Sequence, residues 1–225
     1  MADWAGSLGD EYTIRNNDIL NRDKFFEQFL KYGIGSAFEI GCNWGANLLA
    51  LSQIGVKATG CDVNEKAIRA AEEVGLDAYL DSGTETVMPP ESFDLAFTVG
   101  VLIHQRTPEL ILMMQELVRI SREFVLFAEY KGTDEEVPYR GERFALFKRE
   151  YGSIFQALFP DAKLVETGEA GRELGFDDVT YWLYDISNCT SAFRLDEDAW
   201  KSLKAGEESE PISSFVGAIG EVSIT

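Results

Sequence analysis

Short apolar runs alternate with helical patterns along the chain from about residue 17 to residue 159. The apolar runs have the length and composition of strands that are buried on both faces. They comprise residues 37–40, 58–61, 78–80, 93–99 and 124–128. Strands that alternate with helices in this way are typical of a parallel sheet covered by helices on both faces. The pattern therefore predicts an α/β fold.

Two of the helices are predicted with defined boundaries. The first begins near Thr107, which can act as the N-cap, with Pro108 at the first helical position. Its apolar face would comprise Leu110, Ile111, Met114, Leu117 and Ile120. The second is predicted over residues 144–158, with an apolar stripe formed by Phe147, Tyr151, Ile154, Phe155 and Leu158.

The order of the elements changes after Pro160. Residues 163–166 and 179–186 have the pattern of two strands with no helix between them, so we expect them to pair antiparallel. Together with the earlier strands they predict a Rossmann-like, mostly parallel, seven-stranded sheet with an antiparallel terminal hairpin. A dinucleotide dehydrogenase would ordinarily continue with another βαβ unit instead. We divide the chain into an N-terminal helical cap (1–35), a core (36–186) and an acidic C-terminal extension (187–225).

Composition and charge narrow the class of protein. The 225 residues include 39 acidic and 20 basic side chains, a formal net charge of −19, which disfavours binding to a polyphosphate backbone. No apolar run approaches the roughly 20 residues of a membrane helix, and the first residues lack the pattern of a signal peptide. We expect a cytoplasmic protein without a nucleic-acid or membrane partner, and leave its oligomeric state open. The three cysteines favour buried thiols over disulfides or a metal site.

The strongest local signal is a glycine-containing turn after the first predicted strand. Gly41 and Gly45 lie between that strand and a helical pattern, where glycine permits a tight turn and the close approach of a ligand. Asp62 closes the next strand, where a carboxylate can accept hydrogen bonds from ribose hydroxyls. A purely structural turn is the alternative. Against a dinucleotide, Asn43 stands where a second glycine would admit the pyrophosphate.

Further motifs extend this signal along the chain. They are Trp4-Ala5-Gly6, Gly9-Asp10-Glu11-Tyr12, Arg15-Asn16, Glu39-Ile40-Gly41-Cys42-Asn43-Trp44-Gly45, Ser92-Phe93-Asp94-Leu95, Gly100-Val101-Leu102-Ile103-His104, Ala128-Glu129-Tyr130, Val137-Pro138-Tyr139-Arg140-Gly141 and Leu146-Phe147-Lys148-Arg149. With these residues the chain resembles the class I S-adenosylmethionine-dependent methyltransferases, and among them the pseudaminic acid biosynthesis-associated methylases, over about residues 4–186. Ser7-Leu8 departs from that family, which tends to have an acidic and then an aromatic residue there. The segment after Ile186 also lies outside the family pattern.

The resemblance implies S-adenosylmethionine as the cofactor, S-adenosylhomocysteine as the product and a small-molecule acceptor related to the sugars of surface polysaccharide. Glu39 and the backbone near Gly41 could hold the amino-acid end of the cofactor, and Asp62 its ribose. The adenine would lie near Asp81 and Ser82, after the third strand. The full set of expected cofactor-binding residues is Glu39, Gly41, Asn43, Gly45, Asp62, Val63, Asp81, Ser82 and Gly100.

Candidate catalytic residues follow the fourth and fifth predicted strands, because ligands of parallel α/β sheets lie beyond the carboxyl ends of the strands. They are His104, Glu129 and Tyr130. His104 could remove a proton from an acceptor hydroxyl, or it could cap the following helix. Glu129 could line the acceptor site, or it could be a strand-end carboxylate held by a neighbouring backbone segment or arginine.

The candidate acceptor-binding residues are Tyr12, Arg15, Tyr139 and Arg140. Tyr12 and Arg15 could form a lid over the cofactor or simply anchor an N-terminal helix. Arg140 could bind an anionic group of the acceptor or pair with one of the many acids. Two functions stand as alternatives to a small-molecule methyltransferase, namely a nucleotide-dependent oxidoreductase and a catalytically silent Rossmann-like binding module.

Overall fold

The computed structural model describes residues 3–16, 22–143 and 145–189. The strands in these residues are β1 (Ser36–Ile40), β2 (Lys57–Asp62), β3 (Asp77–Leu80), β4 (Phe93–Val99), β5 (Ser121–Glu129), β6 (Glu135–Glu136), β7 (Phe147–Lys148), β8 (Lys163–Ala170) and β9 (Val179–Asp185). The α-helices are α1 (Ser7–Arg15), α2 (Asp23–Glu27), α3 (Ala46–Gln53), α4 (Glu65–Glu73), α5 (Thr107–Ile120) and α6 (Tyr151–Leu158).

One mixed sheet organises the described residues, with seven strands in the order β3-β2-β1-β4-β5-β9-β8. The strands β1 to β5 run parallel, and β9 pairs antiparallel with both β5 and β8. This confirms the predicted Rossmann-like fold with its antiparallel terminal hairpin. The direction of strand succession reverses between β1 and β4, and this is the place where open α/β sheets bind their ligands, beyond the carboxyl ends of the strands.

Alternate residues of each strand pack on opposite sides of the sheet. On one side, residues such as Phe38 and Phe127 pack against α5 and α6. On the other side, residues such as Ala37 and Leu126 pack against α2 and α3. Because both faces of β1, β4 and β5 are buried, these strands are almost continuously apolar, which explains why the sequence pattern identified them. The edge strand β3 departs from the expectation, because three of its four residues are exposed.

The second predicted helix needs correction. It was expected over residues 144–158, but α6 begins only at Tyr151. Residues 147–148 form β7 instead, because their backbone pairs with Glu135 and Glu136, and Phe144 lies outside the described residues. The predicted stripe is buried even so, with Phe147 contributed by a strand. Periodicity alone could not separate a buried strand from the first turns of a buried helix.

The boundaries of other predicted elements shift by a few residues. Thr107 is the first residue of α5, and the N-cap is Arg106, which makes no capping side-chain hydrogen bond. Of the predicted C-terminal extension, residues 190–225 lie outside the described part of the chain. The cysteines are free thiols, and Cys42 and Cys61 are buried. Across residues 3–16, 22–143 and 145–189, no helix combines the length and apolar character needed to cross a bilayer.

The contact between α6 and β9 gives a stability prediction. Gly152 packs so closely on Trp182 that a Cβ atom at position 152 would overlap Trp182 Nε1. Alanine normally stabilises a helix relative to glycine, but here overpacking should dominate, and Gly152→Ala should lower the free energy of unfolding by about 1–3 kcal/mol. Urea denaturation measures this change. Ser153→Ala, on the exposed side of α6, is the control and should stay within about 0.5 kcal/mol of wild type; an equally stable Gly152→Ala variant would contradict the packing described here.

Candidate active site

A cavity of about 1190 Å³ lies at the carboxyl ends of β1, β2, β4 and β5. Ligand sites commonly measure about 300–1,000 Å³, so this space exceeds what one small ligand requires. Most of the residues predicted for the site line this cavity, namely Tyr12, Arg15, Glu39, Gly41, Asn43, Asp62, Val63, Asp81, Ser82, Gly100, His104, Tyr130, Tyr139 and Arg140. Gly45 and Glu129 are predicted residues outside this lining.

The turn after β1 is shaped by two glycines with different roles. Gly41 has a φ of +76°, and a Cβ atom there would lie 2.5 Å from Val101 Cγ2, so this turn and the loop after β4 can approach each other only with glycine. Gly45 has a φ of +89° and directly precedes α3. A Cβ atom at Gly45 would overlap the side chain of Leu76, so Gly45 serves the packing of the turn rather than the cavity wall.

A buried carboxylate with an unpaired oxygen faces the cavity at the end of β1. Glu39 is 1% exposed, and its Oε1 accepts a hydrogen bond from Asn47 Nδ2. Glu39 Oε2 is buried without a hydrogen-bond partner among the described residues. Burial raises the pKa of Glu39 to about 8, against the opposing effects of Asn47 and Arg22. A buried, unsatisfied oxygen in a cavity wall is a binding position for a hydrogen-bond donor or a cation.

Arg22 completes this group of polar residues, although no sequence pattern predicted it. Its Nη1 donates to Asn47 Oδ1 at 2.8 Å, and its Nε donates to the carbonyl oxygen of Gly175 at 3.0 Å. Asn47 therefore bridges the guanidinium of Arg22 and the carboxylate of Glu39. No local motif surrounds Arg22, and only the folded chain brings it to the cavity, so the sequence carried no signal for it.

Asp62 is held by backbone amides at the end of β2. Its Oδ2 accepts from the N–H of Asn43 and its Oδ1 from the N–H of Asn64, both at 2.9 Å. Burial raises the pKa of Asp62, and these backbone hydrogen bonds oppose that effect. An ionised carboxylate offers about four lone-pair positions, so Asp62 retains acceptor capacity toward the cavity.

The loop after β3 is fixed by two acids, one of them far in sequence. Asp81 accepts from the backbone N–H of Ser82 at 2.7 Å and of Val87 at 2.9 Å. Glu116, on α5, accepts from the N–H of Thr86 at 2.7 Å and from the guanidinium of Arg119. These bonds hold Asp81 and Ser82 at the cavity wall, next to the loop that carries Asp62.

Glu129 lies behind the loop that follows β4 and does not line the cavity. It is fully buried, and it accepts from the N–H groups of Val101, Leu102 and Ile103 at 3.1, 3.0 and 3.2 Å. Burial raises its pKa to about 8, and the backbone bonds oppose the shift. Of the two alternatives for Glu129, the geometry favours a strand-end carboxylate that is held by neighbouring backbone N–H groups over a residue that lines the acceptor site.

His104 lies at the cavity wall with a defined tautomer. Its Nδ1 is 2.5 Å from the carbonyl oxygen of Ala145, and because a carbonyl can only accept, Nδ1 carries the proton and Nε2 a lone pair in the neutral ring. Burial lowers the pKa of His104 to about 4. The ring lies 4.2 Å from the ring of Trp4 and 5.3 Å from that of Tyr139.

The wall around His104 is aromatic and rich in arginine. Trp4, which the sequence analysis placed in a motif but not in the site, contacts Tyr12 with its ring at 5.7 Å, and burial raises the pKa of Tyr12 to about 12. Arg15 forms an ion pair with Glu11 at 3.6 Å. Besides His104, five arginines line the cavity, namely Arg15, Arg22, Arg106, Arg140 and Arg172.

Arg140 is the most exposed of the predicted acceptor-binding residues. It lies at the cavity edge in the left-handed region, with a φ of +53°, and its guanidinium carbon is 5.8 Å from the ring centre of Tyr139. Tyr130 is half-buried beside the core and lines the cavity. Burial raises the pKa of Tyr130.

Comparisons with known proteins agree with this geometry. Residues 37–123 match the family described as a methyltransferase domain. A protein from Pyrococcus horikoshii OT3 has a similar structure, with a TM-score of 0.61 at 14% identity, covering 78% of this chain and 98% of that chain. Magnesium protoporphyrin IX methyltransferase from Synechocystis PCC 6803 gives a TM-score of 0.56 at 15% identity, covering 73% and 77%. A comparison with curated proteins gave no match.

A third similar structure is 1,6-didemethyltoxoflavin-N1-methyltransferase from Burkholderia thailandensis, with a TM-score of 0.58 at 12% identity, covering 82% of this chain and 92% of that chain. The likeness to these structures shows the Rossmann-like fold. The match to the methyltransferase domain over residues 37–123 supports an enzyme that uses S-adenosylmethionine as its methyl donor. The residues present fit this cofactor, because Glu39 Oε2 is a buried acceptor without a partner among the described residues and Asp62 retains acceptor capacity.

The pKa of Glu39 gives a prediction for stability against pH. Its pKa rises from 4.5 to about 8 on folding, so the folded protein keeps a proton that the unfolded chain loses between these values. The stabilising contribution is therefore complete below about pH 4.5 and is lost as the pH rises through about 8. We expect the free energy of unfolding to fall between pH 6.5 and 8, by up to about 1.4 kcal/mol per pH unit from this group.

Glu39→Gln should make that fall shallower, as measured by urea denaturation across the pH series without ligand. Glu72→Gln, at an exposed position on α4, is the control and should keep the wild-type slope. His104 and Glu129, with folded pKa values of about 4 and about 8, also contribute to the slope. They do so equally in wild type and in both variants, so the comparison isolates the contribution of Glu39. A Glu39→Gln slope equal to that of wild type would show that Glu39 is ionised in the folded protein.

Proposed function

We propose that this chain transfers a methyl group from S-adenosylmethionine to an anionic small molecule bound in the same cavity. The observation that carries the proposal is the buried carboxylate of Glu39, which has an oxygen unpartnered among the described residues in a cavity of about 1190 Å³. A group of this kind is costly unless a ligand satisfies it. A cofactor with an ammonium group would do so and would leave room for an acceptor.

We assign the cofactor to the half of the cavity that lies beyond the carboxyl ends of β1, β2 and β3. Glu39 would accept hydrogen bonds from its ammonium group, and Arg22 would attract its carboxylate, because Asn47 keeps these two charges side by side. Asp62 would accept from the ribose hydroxyls. The adenine would lie by Val63, Asp81 and Ser82, and Val63 offers an apolar side chain that is 39% exposed.

The acceptor is assigned to the wall formed by Trp4, Tyr12, His104 and Tyr139. Bound S-adenosylmethionine supplies an electrophilic methyl group on a sulfonium. Methyl transfer is a direct displacement, so the protein contributes chiefly by aligning the acceptor and excluding water. The aromatic rings on this wall can exclude water. Glu129 would act as a positioning residue, since it fixes the backbone that carries His104.

An anionic acceptor is favoured by the arginines of the cavity. A guanidinium offers a planar fork suited to carboxylate or phosphate, and Arg15 and Arg140 lie where such a group could enter. Arg15 Nη2 is buried without a hydrogen-bond partner among the described residues. The resemblance to the pseudaminic acid biosynthesis-associated methylases points to a sugar-related acid. The similar enzymes from Synechocystis and Burkholderia are likewise named as methyltransferases of small molecules, magnesium protoporphyrin IX and 1,6-didemethyltoxoflavin.

The formal charge of −19 disfavours a nucleic-acid acceptor, because proteins that bind polyphosphate backbones use clustered cations. Free thiols at all cysteines support a cytoplasmic location.

Asn43 supports methyl transfer over hydride transfer from a dinucleotide. Its side chain accepts from Thr13 Oγ1 at 2.9 Å, and it stands where a pyrophosphate would have to approach the turn.

The test is thermal unfolding of the full chain with S-adenosylhomocysteine or with NAD, followed by turnover. We expect S-adenosylhomocysteine to raise the Tm, by the amount that mass action gives at ligand concentrations well above Kd, and NAD to leave it unchanged. Methyl-labelled S-adenosylmethionine with a panel of sugar acids, sugar phosphates and neutral sugars then identifies the acceptor. Stabilisation by NAD alone would favour the oxidoreductase, and cofactor binding without any turnover across the panel would favour the silent binding module.

For His104 we predict a general-base role toward an acceptor hydroxyl through Nε2. His104→Gln and His104→Asn should both lower the single-turnover rate by about 10²–10⁴ with the acceptor found by the panel. Because the pKa of His104 is lowered to about 4, the wild-type rate should hold as the pH falls to about 5 and drop only near 4, where Nε2 becomes protonated.

His104→Asn also serves as the matched control, because its amide can replace Nδ1 as the donor to Ala145 without supplying a base. A rate restored by asparagine but not by glutamine would assign His104 a structural role at Ala145. S-adenosylhomocysteine affinity, measured by calorimetry, should stay near the wild-type value in both variants.

A further inference from the structure

The N-terminal segment, residues 3–16, builds the wall that faces His104. The ring of Trp4 lies 4.2 Å from that of His104, and Tyr12 and Arg15 line the same cavity from α1. The acceptor half of the cavity is therefore complete only when this segment is docked. The residues that hold this segment against the rest of the chain therefore determine whether that wall is formed.

One attachment of the segment runs through Asn64, which is 2% exposed, and Trp44 Nε1 also donates to the carbonyl oxygen of Asn16. Asn64 Nδ2 donates to Asp10 Oδ1 at 2.9 Å, and it lies 3.3 Å from the carbonyl oxygen of Trp4 and 3.4 Å from that of Gly6. Gly9 permits this close approach, because a Cβ atom there would lie 2.7 Å from Asn64 Nδ2.

A second attachment uses Asn43, whose Oδ1 accepts from Thr13 Oγ1 at 2.9 Å. Both asparagines have a further role through their backbones. The N–H of Asn43 and the N–H of Asn64 donate to the two carboxylate oxygens of Asp62. Each asparagine thus binds Asp62 with its backbone and the N-terminal segment with its side chain.

We propose that Asn64, assisted by Asn43, is a positioning residue that couples the cofactor site at Asp62 to docking of the N-terminal segment, so that cofactor binding completes the acceptor site. The proposal rests on the proposed function, in which Asp62 holds the ribose. A ligand on Asp62 restrains both asparagine loops, and the segment then docks on a surface that is already ordered. Coupling of this kind is reciprocal, so undocking the segment must weaken cofactor binding by the same factor.

The substitution Asn64→Asp separates the docking of the N-terminal segment from the second role of Asn64, which is to cap α4. Asn64 Oδ1 also accepts from the N–H of Ala67 and so caps α4, and aspartate is an equally good N-cap. The substitution keeps the cap and the backbone bond to Asp62. It removes the Nδ2 donor and places a second carboxylate against Asp10, so the segment should undock.

The experiment is hydrogen–deuterium exchange on the full chain, with and without S-adenosylhomocysteine, together with calorimetry of the same ligand. In wild type we expect the ligand to slow exchange in residues 7–16. In Asn64→Asp, residues 7–16 should exchange fast in both conditions while α4 keeps wild-type protection. The Kd for S-adenosylhomocysteine should rise by about 5-fold or more, the lower end of typical coupling.

The double variant Asn64→Asp with Asp10→Asn is the matched rescue, because the amide introduced at position 10 can then donate to the new carboxylate at position 64. It should restore protection of residues 7–16 and most of the affinity. A direct effect of the new charge on the cofactor would instead persist in the double variant, and that result would overturn the coupling.

The proposal also fails if Asn64→Asp exchanges in residues 7–16 as wild type does while the ligand binds normally. Failure of wild type to bind S-adenosylhomocysteine is a different result, which overturns the proposed function and the coupling that depends on it. The exchange difference between the variants without ligand still reports whether Asn64 docks the segment.

Discussion

The carboxylate of Asp62 holds two loops of the site together, because its oxygens accept the backbone N–H groups of Asn43 and Asn64. These loops follow β1 and β2, neighbouring parallel strands whose carboxyl ends meet at the same edge of the sheet. Without an acceptor between them, both N–H groups would be left unsatisfied beside the cavity. The position of Asp62 therefore decides the shape of the turn, and through the asparagine side chains it also decides where the N-terminal segment can dock.

The buried glutamates differ in whether their carboxylate oxygens have hydrogen-bond partners within the protein. This difference separates glutamates that stabilise the structure from one that can bind a ligand. Glu129 accepts three backbone N–H groups, and Glu116 accepts from Thr86 and from the guanidinium of Arg119, so both stabilise the loops around the cavity. Glu39 has one oxygen without a partner among the described residues. Burial disfavours the ionised form of such a group, and a cationic ligand reverses that balance. This contrast is the reason for proposing Glu39 as a cofactor-binding residue and Glu129 as part of the scaffold.

The sequence predicted the parts of the molecule that depend on local patterns. The strands β1, β4 and β5 are largely apolar because both faces of the sheet are covered there, and the absence of an α-helix between β8 and β9 predicted their antiparallel pairing. Gly41 and Asp62 were found because a tight turn and a strand-end carboxylate have a fixed spacing. The assignments of ligand-binding roles to these residues stay predictions.

The features that the sequence did not predict depend on contacts between distant residues. Residues 147–148 pair with Glu135 and Glu136 as a strand, although their apolar spacing also suits a helix. Glu129 follows a strand at the correct edge of the sheet, but its side chain turns toward the amides of residues 101–103. Arg22 and Trp4 reach the cavity from the N-terminal part of the chain. No local motif marks Arg22, and the motif that contains Trp4 does not reveal its contact with His104.

The affinity of Asp62→Asn for S-adenosylhomocysteine, measured by calorimetry, tests the central claim most directly. Asp94→Asn is the matched control, because Asp94 also accepts two backbone N–H groups, those of Gly35 and Ser36, at the opposite end of the sheet. Loss of a hydrogen bond to a charged group costs about 1.5–3 kcal/mol, so Asp62→Asn should raise the Kd by about 10- to 100-fold. Asp94→Asn should lower the Tm and leave the Kd unchanged. A folded Asp62→Asn variant that binds S-adenosylhomocysteine as wild type does would contradict the account.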